Sequence, residues 1–167
     1  KNSINHYGAI SYPIYQSATY AHPGVGQSTG YDYSRLQNPT REHLEKTVAS
    51  LENGIDALAF SSGMAAITLM MELFKPGDHL IVDADLYGGS IRLFNHVSEK
   101  NGIEFSSVDC HKENVAAYIR ENTKAVYIET PTNPMMNVTD IKALAEITKK
   151  HNILLIVDNT FLSPYFQ

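Results

Sequence analysis

Short apolar runs alternate with helix-length segments along most of the chain. The runs lie at residues 57–60, 79–83, 104–109, 124–129 and 153–158. Two strings within them, LIVD and ILLIVD, are continuous rather than alternating in hydrophobicity, a pattern typical of strands covered on both faces. Because short strands joined by helical crossovers form few other architectures, the pattern predicts an α/β domain with a mostly parallel sheet flanked by helices.

The first 37 residues show neither a helical nor a strand period. They contain tyrosines spread among glycine, serine and proline, so residues 1–37 are predicted to form an extended arm. A helix is predicted for residues 39–53, because Asn38 can cap it, Pro39 suits its first turn and apolar residues recur at helical spacing. The α/β domain is therefore predicted to occupy residues 38–167.

Charge and residue usage argue against several classes of function. The formal net charge of -5 comes from interspersed acidic and basic residues, so neither a nucleic acid nor a membrane surface is expected as a partner. Cys110 is the only cysteine, which favours the reducing cytoplasm. The seven histidines show no paired ligand spacing, so no metal site is predicted. No apolar run approaches the roughly 18 residues of a membrane span, and the start has no signal-peptide layout.

Polar loops follow four of the apolar runs, and ligands of open α/β sheets bind beyond the carboxyl ends of the strands. After the run 57–60, the string SSGM leads directly into an apolar helix, whose first amides need partners. Gly63 would allow an anion to approach closely, and the amides of Gly63 and Met64 would point at it. The alternative is an ordinary helix cap by Ser61 or Ser62.

Two further loops carry groups that suit a flat ligand. Tyr87 is followed by two glycines, which could leave one face of its ring open to stacking, although an ordinary surface-loop tyrosine fits the same pattern. The loop ETPTNP carries hydrogen-bonding groups at Glu129, Thr130 and Asn133, and its two prolines make the loop rigid. A capped turn before a helix explains this loop almost as well.

Asp158 gives the sharpest signal. It follows five apolar residues, so its carboxylate would stand at the rim of a low-dielectric sheet, where it needs a cation or good hydrogen-bond donors. Local bonds to a turn are the alternative. An anion-binding helix start, a stacking ring and a carboxylate that needs a cation together suit a phosphorylated, protonated heterocycle, and pyridoxal 5'-phosphate (PLP) is such a molecule.

The sequence resembles the amino-terminal part of the Cys/Met-metabolism family of PLP-dependent enzymes. The matching strings are YSRLQNPT at 33–40, SSGMAAI at 61–67, DLYGGS at 85–90, ETPTNP at 129–134 and VDNTF at 157–161. The family includes cystathionine γ-synthase, cystathionine β- and γ-lyases, methionine γ-lyase and O-acylhomoserine sulfhydrylases. The resemblance implies the large domain of fold type I, the aspartate aminotransferase-like fold of PLP-dependent transferases, in incomplete form.

The resemblance assigns roles to residues of the four loops. It implies that Gly63 and Met64 hold the cofactor phosphate through their amides. It implies that Tyr87 stacks on the ring and assists proton transfer, and that Asp158 binds the ring nitrogen. Asn133 would lie near the ring hydroxyl and the substrate.

The resemblance also implies that Tyr33 and Arg35 bind the cofactor phosphate of a neighbouring subunit. Function would then require a homodimer or homotetramer, and the tyrosine-rich arm would lie in an interface, where aromatic residues are favoured. Packing of the arm on its own domain is the alternative.

The implied activity is β- or γ-elimination or γ-replacement on a sulfur-containing amino acid. We expect a cystathionine γ-lyase, β-lyase or γ-synthase, because Gly89 stands where several methionine γ-lyases carry cysteine. Methionine γ-lyase and O-acetylhomoserine sulfhydrylase are the alternatives. In the family a lysine in a Ser-x-x-Lys string downstream of VDNTF holds the cofactor, and none of the nine lysines matches it. We therefore expect an amino-terminal fragment without the lysine-bearing part and the carboxyl-terminal domain, inactive by itself.

Three other interpretations compete with this one. The string GVGQSTG at 24–30 suggests a nucleotide-binding loop, but its spacing is wrong and it neither follows a strand nor opens a helix. An aminotransferase would share the fold but lacks support from YSRLQNPT and DLYGGS. A non-catalytic cofactor-binding or interaction fragment is the candidate from a different class of protein.

Overall fold

The computed structural model describes residues 8–166, so the first seven residues of the predicted arm lie outside the described part. The chain forms two compact units, the first ending at Ala59 and the second beginning at Phe60. Among the helices of residues 8–166, none combines the length and apolar character that crossing a membrane requires.

The first unit contains one helix, α1 (Pro39–Leu51), within its described residues. It begins where predicted and ends two residues early. The side chain of Asn38 caps it by accepting hydrogen bonds from the backbone amides of Thr40 and Arg41, and proline occupies its first position. Before it, residues 8–37 form no helix and no named strand, and an isolated antiparallel bridge joins Thr19 to Tyr33.

The second unit alternates helices and strands. Its elements are α2 (Gly63–Met71), β1 (His79–Asp83), α3 (Gly88–Leu93), a π-helical turn (Phe94–Ser98), β2 (Glu104–Val108), a 3₁₀ helix (Val115–Tyr118), β3 (Thr123–Glu129), α4 (Ile141–His151) and β4 (Leu154–Asp158). All the strand pairs are parallel, and the sheet order is β2-β1-β3-β4. The prediction of a parallel sheet flanked by helices is therefore confirmed.

The sheet separates two apolar clusters, because successive side chains of a strand point to opposite faces. Leu80 and Val82 of β1 pack in a cluster with Phe94 and residues of α2 and α3. Ile81, which lies between them in sequence, packs in the other cluster with Leu144 of α4. The central strands are thus buried on both faces, as LIVD predicted.

The predicted strand at 57–60 is wrong. Its residues pair with no strand in the described part of the chain, and Leu58 is 67% exposed. The backbone amides of Ala57 and Ala59 are bonded to carboxylates instead, those of Asp56 and Glu45. A run of four apolar residues becomes a strand only when a neighbouring strand satisfies its backbone groups, and here side chains do so.

Strand β4 departs from the pattern that ILLIVD suggested. It is the last strand of the described sheet, with β3 as its one neighbour, and its residues are half-buried or exposed. Leu154 is 49% exposed. The expectation of cover on both faces is therefore wrong for this strand in this chain. Because β4 lies at the edge of the described sheet, its apolar residues are less covered than their composition suggests.

Candidate cofactor site

The carboxyl ends of the parallel strands meet at one edge of the sheet, and a cavity of about 310 Å³ lies there. Strands β3 and β4 end on acidic residues, Glu129 and Asp158, which are partners in the strand register. The start of α2 and the loop before α3 close the other sides. Five residues predicted for the site line this cavity: Gly63, Met64, Tyr87, Asn133 and Asp158. Small-molecule sites have volumes of about 300–1,000 Å³, so the space suits a small ligand.

The start of α2 supplies backbone donors. Ser62 is the cap, and its hydroxyl accepts a hydrogen bond from the amide of Ala65 at 3.1 Å. The capping role considered for Ser62 is thus real, but it uses only one of the first amides. Among residues 8–166, the amides of Gly63 and Met64 have no hydrogen-bond acceptor. A Cβ atom at Gly63 would meet no atom within 4 Å, so the space in front of these amides is open to an anion.

Tyr87 supplies an aromatic face at the cavity. It precedes α3, and its side chain is 44% exposed. Its carbonyl accepts hydrogen bonds from the amides of Ser90 and Ile91, which fixes the backbone at the helix start. Gly89 lies against the ring and leaves no room for a side chain at its own position. The ring is therefore held by its backbone and by close packing on one side.

Asp158 is held by donors around it. The hydroxyl of Tyr127 donates to its Oδ2 at 3.2 Å, and the amide and hydroxyl of Thr160 donate to its Oδ1 at 3.2 and 2.5 Å. The local turn bonds considered as an alternative are therefore present, and the carboxylate also lines the cavity. Burial raises the pKa of Tyr127, and the charge of Asp158 raises it further, which keeps this hydroxyl a donor.

Glu129 is a cavity residue that the sequence indicated only as one hydrogen-bonding group of its loop, without a specific partner. Its side chain is buried, and its Oε2 accepts a hydrogen bond from the amide of Tyr87 at 2.6 Å. Burial raises the pKa of Glu129, and the nearby Asp158 raises it too, while the backbone amides of Tyr87 and Asn133 lower it. The signal was present in the sequence, because Glu129 ends a buried apolar run just as Asp158 does.

Tyr33 and Arg35 lie in the first unit rather than among the residues that line this cavity. The guanidinium carbon of Arg35 lies 4.6 Å from the centroid of the Tyr33 ring, a cation–π contact. Both side chains are exposed. Their role toward a neighbouring subunit stays a prediction.

The residues of the cavity fit PLP on chemical grounds. Two unpaired amides at a helix start suit its phosphate, and the ring of Tyr87 suits an aromatic system. Two carboxylates lie in the lining, and none of the described lining residues is a lysine, arginine or histidine. Such a site favours a ligand with a positive group opposite its phosphate, as a protonated pyridine nitrogen provides.

The sequence profile of the Cys/Met metabolism PLP-dependent enzymes matches residues 1–167. The chain belongs to this family. It is 55% identical over 161 residues to a cystathionine gamma-lyase of Bacillus subtilis, a match that covers 96% of this chain and 42% of the relative. It is also 55% identical over 165 residues to the cystathionine gamma-synthase/O-acetylhomoserine (thiol)-lyase of the same organism, with 96% and 43% covered.

A solved structure supports the same family assignment. The cystathionine gamma-lyase from Lactobacillus plantarum, complexed with L-serine, superposes with a TM-score of 0.89 at 47% identity over 95% of this chain. The match covers 42% of that chain. The predicted fold type I of PLP-dependent transferases is therefore confirmed. Because the chain spans less than half the length of these relatives, their activity is not automatically its own.

Proposed function

We propose that the full-length protein is a PLP-dependent enzyme that acts on sulfur-containing amino acids by β- or γ-elimination or γ-replacement. Within the family we propose a cystathionine γ-lyase, β-lyase or γ-synthase. The observation that supports this best is the single cavity shared by Gly63, Tyr87 and Asp158 in a chain of this family. The cavity combines an anion site, an aromatic face and a carboxylate.

Each residue has a distinct task in this proposal. The amides of Gly63 and Met64 bind the cofactor phosphate, and the ring of Tyr87 lies on the cofactor ring. Asp158 pairs with the ring nitrogen, and its bonds from Tyr127 and Thr160 hold the carboxylate in place. When bound, PLP supplies an electron sink for charge that develops at the substrate Cα.

Two residues complete the chemistry around the ring. The hydroxyl of Tyr87 lies on an exposed side chain at the cavity, where it can hold or pass a proton next to the substrate. Asn133 lines the cavity and carries an amide that can donate to the ring hydroxyl. Both groups sit on loops that begin at strand ends, as sites of open α/β sheets do.

We also propose that the protein works as a homodimer or homotetramer. Tyr33 and Arg35 are exposed and form a compact cationic and aromatic pair, which suits the phosphate of a neighbouring subunit. The substitution Arg35→Ala in the full-length protein should then weaken cofactor binding. Oligomers that contain both wild-type and Arg35→Ala subunits test whether Arg35 binds the cofactor of its own subunit or that of a neighbouring subunit. Cytoplasmic location remains a prediction from the single cysteine.

The second candidate function is that of an O-acetylhomoserine sulfhydrylase. One of the two relatives at 55% identity is named for this activity as well as for cystathionine γ-synthase. The two activities differ in the sulfur compound that replaces the leaving group, so one assay series separates them.

The test uses purified full-length protein with added PLP. A visible absorbance band of the bound cofactor is expected first. Cystathionine, cysteine and methionine are then supplied one at a time, and release of pyruvate or 2-oxobutyrate distinguishes β- from γ-elimination. Formation of cystathionine from an O-acylhomoserine and cysteine identifies γ-replacement, and formation of homocysteine from sulfide identifies the second candidate. Absence of the cofactor band would contradict the proposal. A cofactor band without turnover of any of the tested substrates would favour a non-catalytic cofactor-binding protein.

A further inference from the structure

Two loops of the candidate site converge on one buried carboxylate. The Oε2 of Glu129 accepts the amide of Tyr87 at 2.6 Å, across 42 positions of sequence. The backbone amide of Asn133 lies near enough to lower the pKa of this carboxyl. Tyr87 is the residue proposed to lie on the face of the cofactor ring. One buried side chain therefore holds the backbone of a residue proposed to contact the cofactor.

Glu129 is well placed to act as a fixed point. It ends β3, a central strand, and its own side chain is 4% exposed. Its register partner on β4 is Asp158, so the backbone on that side is also held in the sheet. A buried acceptor on a rigid strand fixes its donors more firmly than a surface group would, because no water competes for the bond.

The bond to Tyr87 matters because it completes the hold on that residue. The carbonyl of Tyr87 already accepts hydrogen bonds from the amides of Ser90 and Ile91 in α3, and its amide is held by Glu129. With both backbone groups fixed and Gly89 against the ring, the ring has little freedom to leave the cavity. Loss of the carboxylate would free the amide side of this arrangement.

The two carboxylates of the cavity thus differ in what they face. Glu129 accepts a backbone amide of a distant loop, whereas Asp158 is bonded by side chains and a local turn. We propose that Glu129 is a positioning residue that fixes Tyr87 against the cofactor ring by accepting its backbone amide. The proposal rests on the proposed function for the identity of the ligand, but the hydrogen bonds belong to the chain itself.

The first test needs no cofactor. Amide hydrogen exchange is measured on full-length protein without PLP, for wild type, Glu129→Ala and Glu129→Gln. We expect the amide of Tyr87 to exchange faster in Glu129→Ala, and Glu129→Gln to be intermediate, because its amide oxygen still accepts but carries no charge. Unchanged protection of the Tyr87 amide in Glu129→Ala would overturn the proposal.

The second test measures the cofactor site at a temperature where every variant is folded. The Kd of PLP should rise by about tenfold or more in Glu129→Ala, and the circular dichroism of the bound cofactor should change. Asp85→Asn is the matched control. Asp85 joins the same two loops through the side chains of Thr132 and Asn137, but it does not line the cavity.

The outcomes separate this proposal from the proposed function. A change in dichroism and Kd that is larger in Glu129→Gln than in Asp85→Asn supports a positioning role for Glu129. Equal changes in the two variants would overturn it, because they would reflect loosening of the loops in general. If wild-type protein binds PLP and all variants match it, only the role of Glu129 fails. If wild-type protein binds no PLP, the proposed function fails and the positioning role fails with it.

Discussion

Gly89 lies so close to Tyr87 that a Cβ atom added to it would be 2.3 Å from Cε1 of the tyrosine ring. The same Cβ would lie 2.8 Å from the sulfur of Met64, so an added methyl group would clash with two side chains. The substitution Gly89→Ala must therefore move the ring that faces the cavity. We expect a loss of stability of about 1–3 kcal/mol, typical of overpacking. Because stacking geometry is lost, the Kd of PLP should rise about three- to tenfold, measured by titration of the cofactor band.

The neighbouring glycine provides the control for this prediction. A Cβ at Gly88 would meet only the end of the Arg92 side chain, at 3.5 Å, which is ordinary contact. Gly88→Ala should leave the Kd of PLP close to that of wild type. Equal effects of the two alanines would mean that the contact with Tyr87 does not set the ring position.

The hydroxyl of Tyr127 can be removed without changing the ring that packs in the core. Tyr127→Phe deletes the donor to Asp158, while the packing against Phe94 is kept. We expect a loss of about 0.5–1.5 kcal/mol in the free energy of unfolding, since the half-buried carboxylate of Asp158 loses one of its donors. Urea unfolding measures it. Tyr118→Phe, which deletes a hydroxyl bonded to Glu113 at the surface, should cost less, and a larger cost there would contradict the assignment.

Buried His79 predicts a dependence of stability on pH. Its ring nitrogens lie 2.8 Å from the Thr123 hydroxyl and 3.0 Å from the Ser106 hydroxyl. Burial lowers the pKa of His79 below its usual value, and Arg120 lowers it further, while Glu104 opposes the shift. Below a pH of about 6.5 the unfolded chain binds a proton that the folded chain resists, so stability should fall as the pH drops from there.

The measurement for His79 is urea unfolding of full-length protein at neutral and mildly acidic pH. His79→Gln should lose stability at neutral pH but show a weaker decrease on acidification than wild type. The exposed His96 offers a control, and His96→Gln should keep the wild-type pH dependence. An unchanged dependence in His79→Gln would show that another group causes the acid sensitivity.

The cap of α2 can be tested apart from cofactor binding. Ser62→Ala removes the hydroxyl that accepts the amide of Ala65, so the free energy of unfolding should fall by about 1 kcal/mol. Thermal unfolding without PLP measures it. Ser61 precedes the cap, and Ser61→Ala should have little effect. A reversed order of the two effects would contradict the assignment of Ser62 as the cap.

Much of the fold follows from the apolar pattern, but two features of it depend on neighbours that the pattern does not reveal. The buried runs of β1 and β3 are continuous and became central strands. The run at 57–60 looks similar, yet the backbone amides of Ala57 and Ala59 donate hydrogen bonds to carboxylates instead of to a neighbouring strand. Likewise ILLIVD is apolar enough for cover on both faces, although β4 has one neighbour in the described sheet. Local sequence specifies what a strand can bury, not what will lie beside it.

The candidate site shows the same division. Tyr87 and Asp158 could be found because strand ends of a parallel sheet share one edge, so their loops were expected to meet. Gly63 was assigned to a loop after a strand at 57–60 that does not form, and it lines the cavity from the start of α2 instead. The partner of Glu129 could not be predicted because it is a backbone amide 42 positions away, and no residue type marks a backbone donor. Spacing can indicate which side chains converge, whereas hydrogen bonds to distant main chain require coordinates.

The central claim is that the cavity at the strand ends holds PLP with its ring nitrogen on Asp158. A crystal structure of the full-length protein with PLP tests it most directly, through the distance between the ring nitrogen and the nearer carboxylate oxygen of Asp158. We predict a hydrogen-bond distance of about 2.7–3.2 Å, with the phosphate at the amides of Gly63 and Met64. A cofactor bound elsewhere, or a ring nitrogen that faces away from Asp158, would contradict the claim.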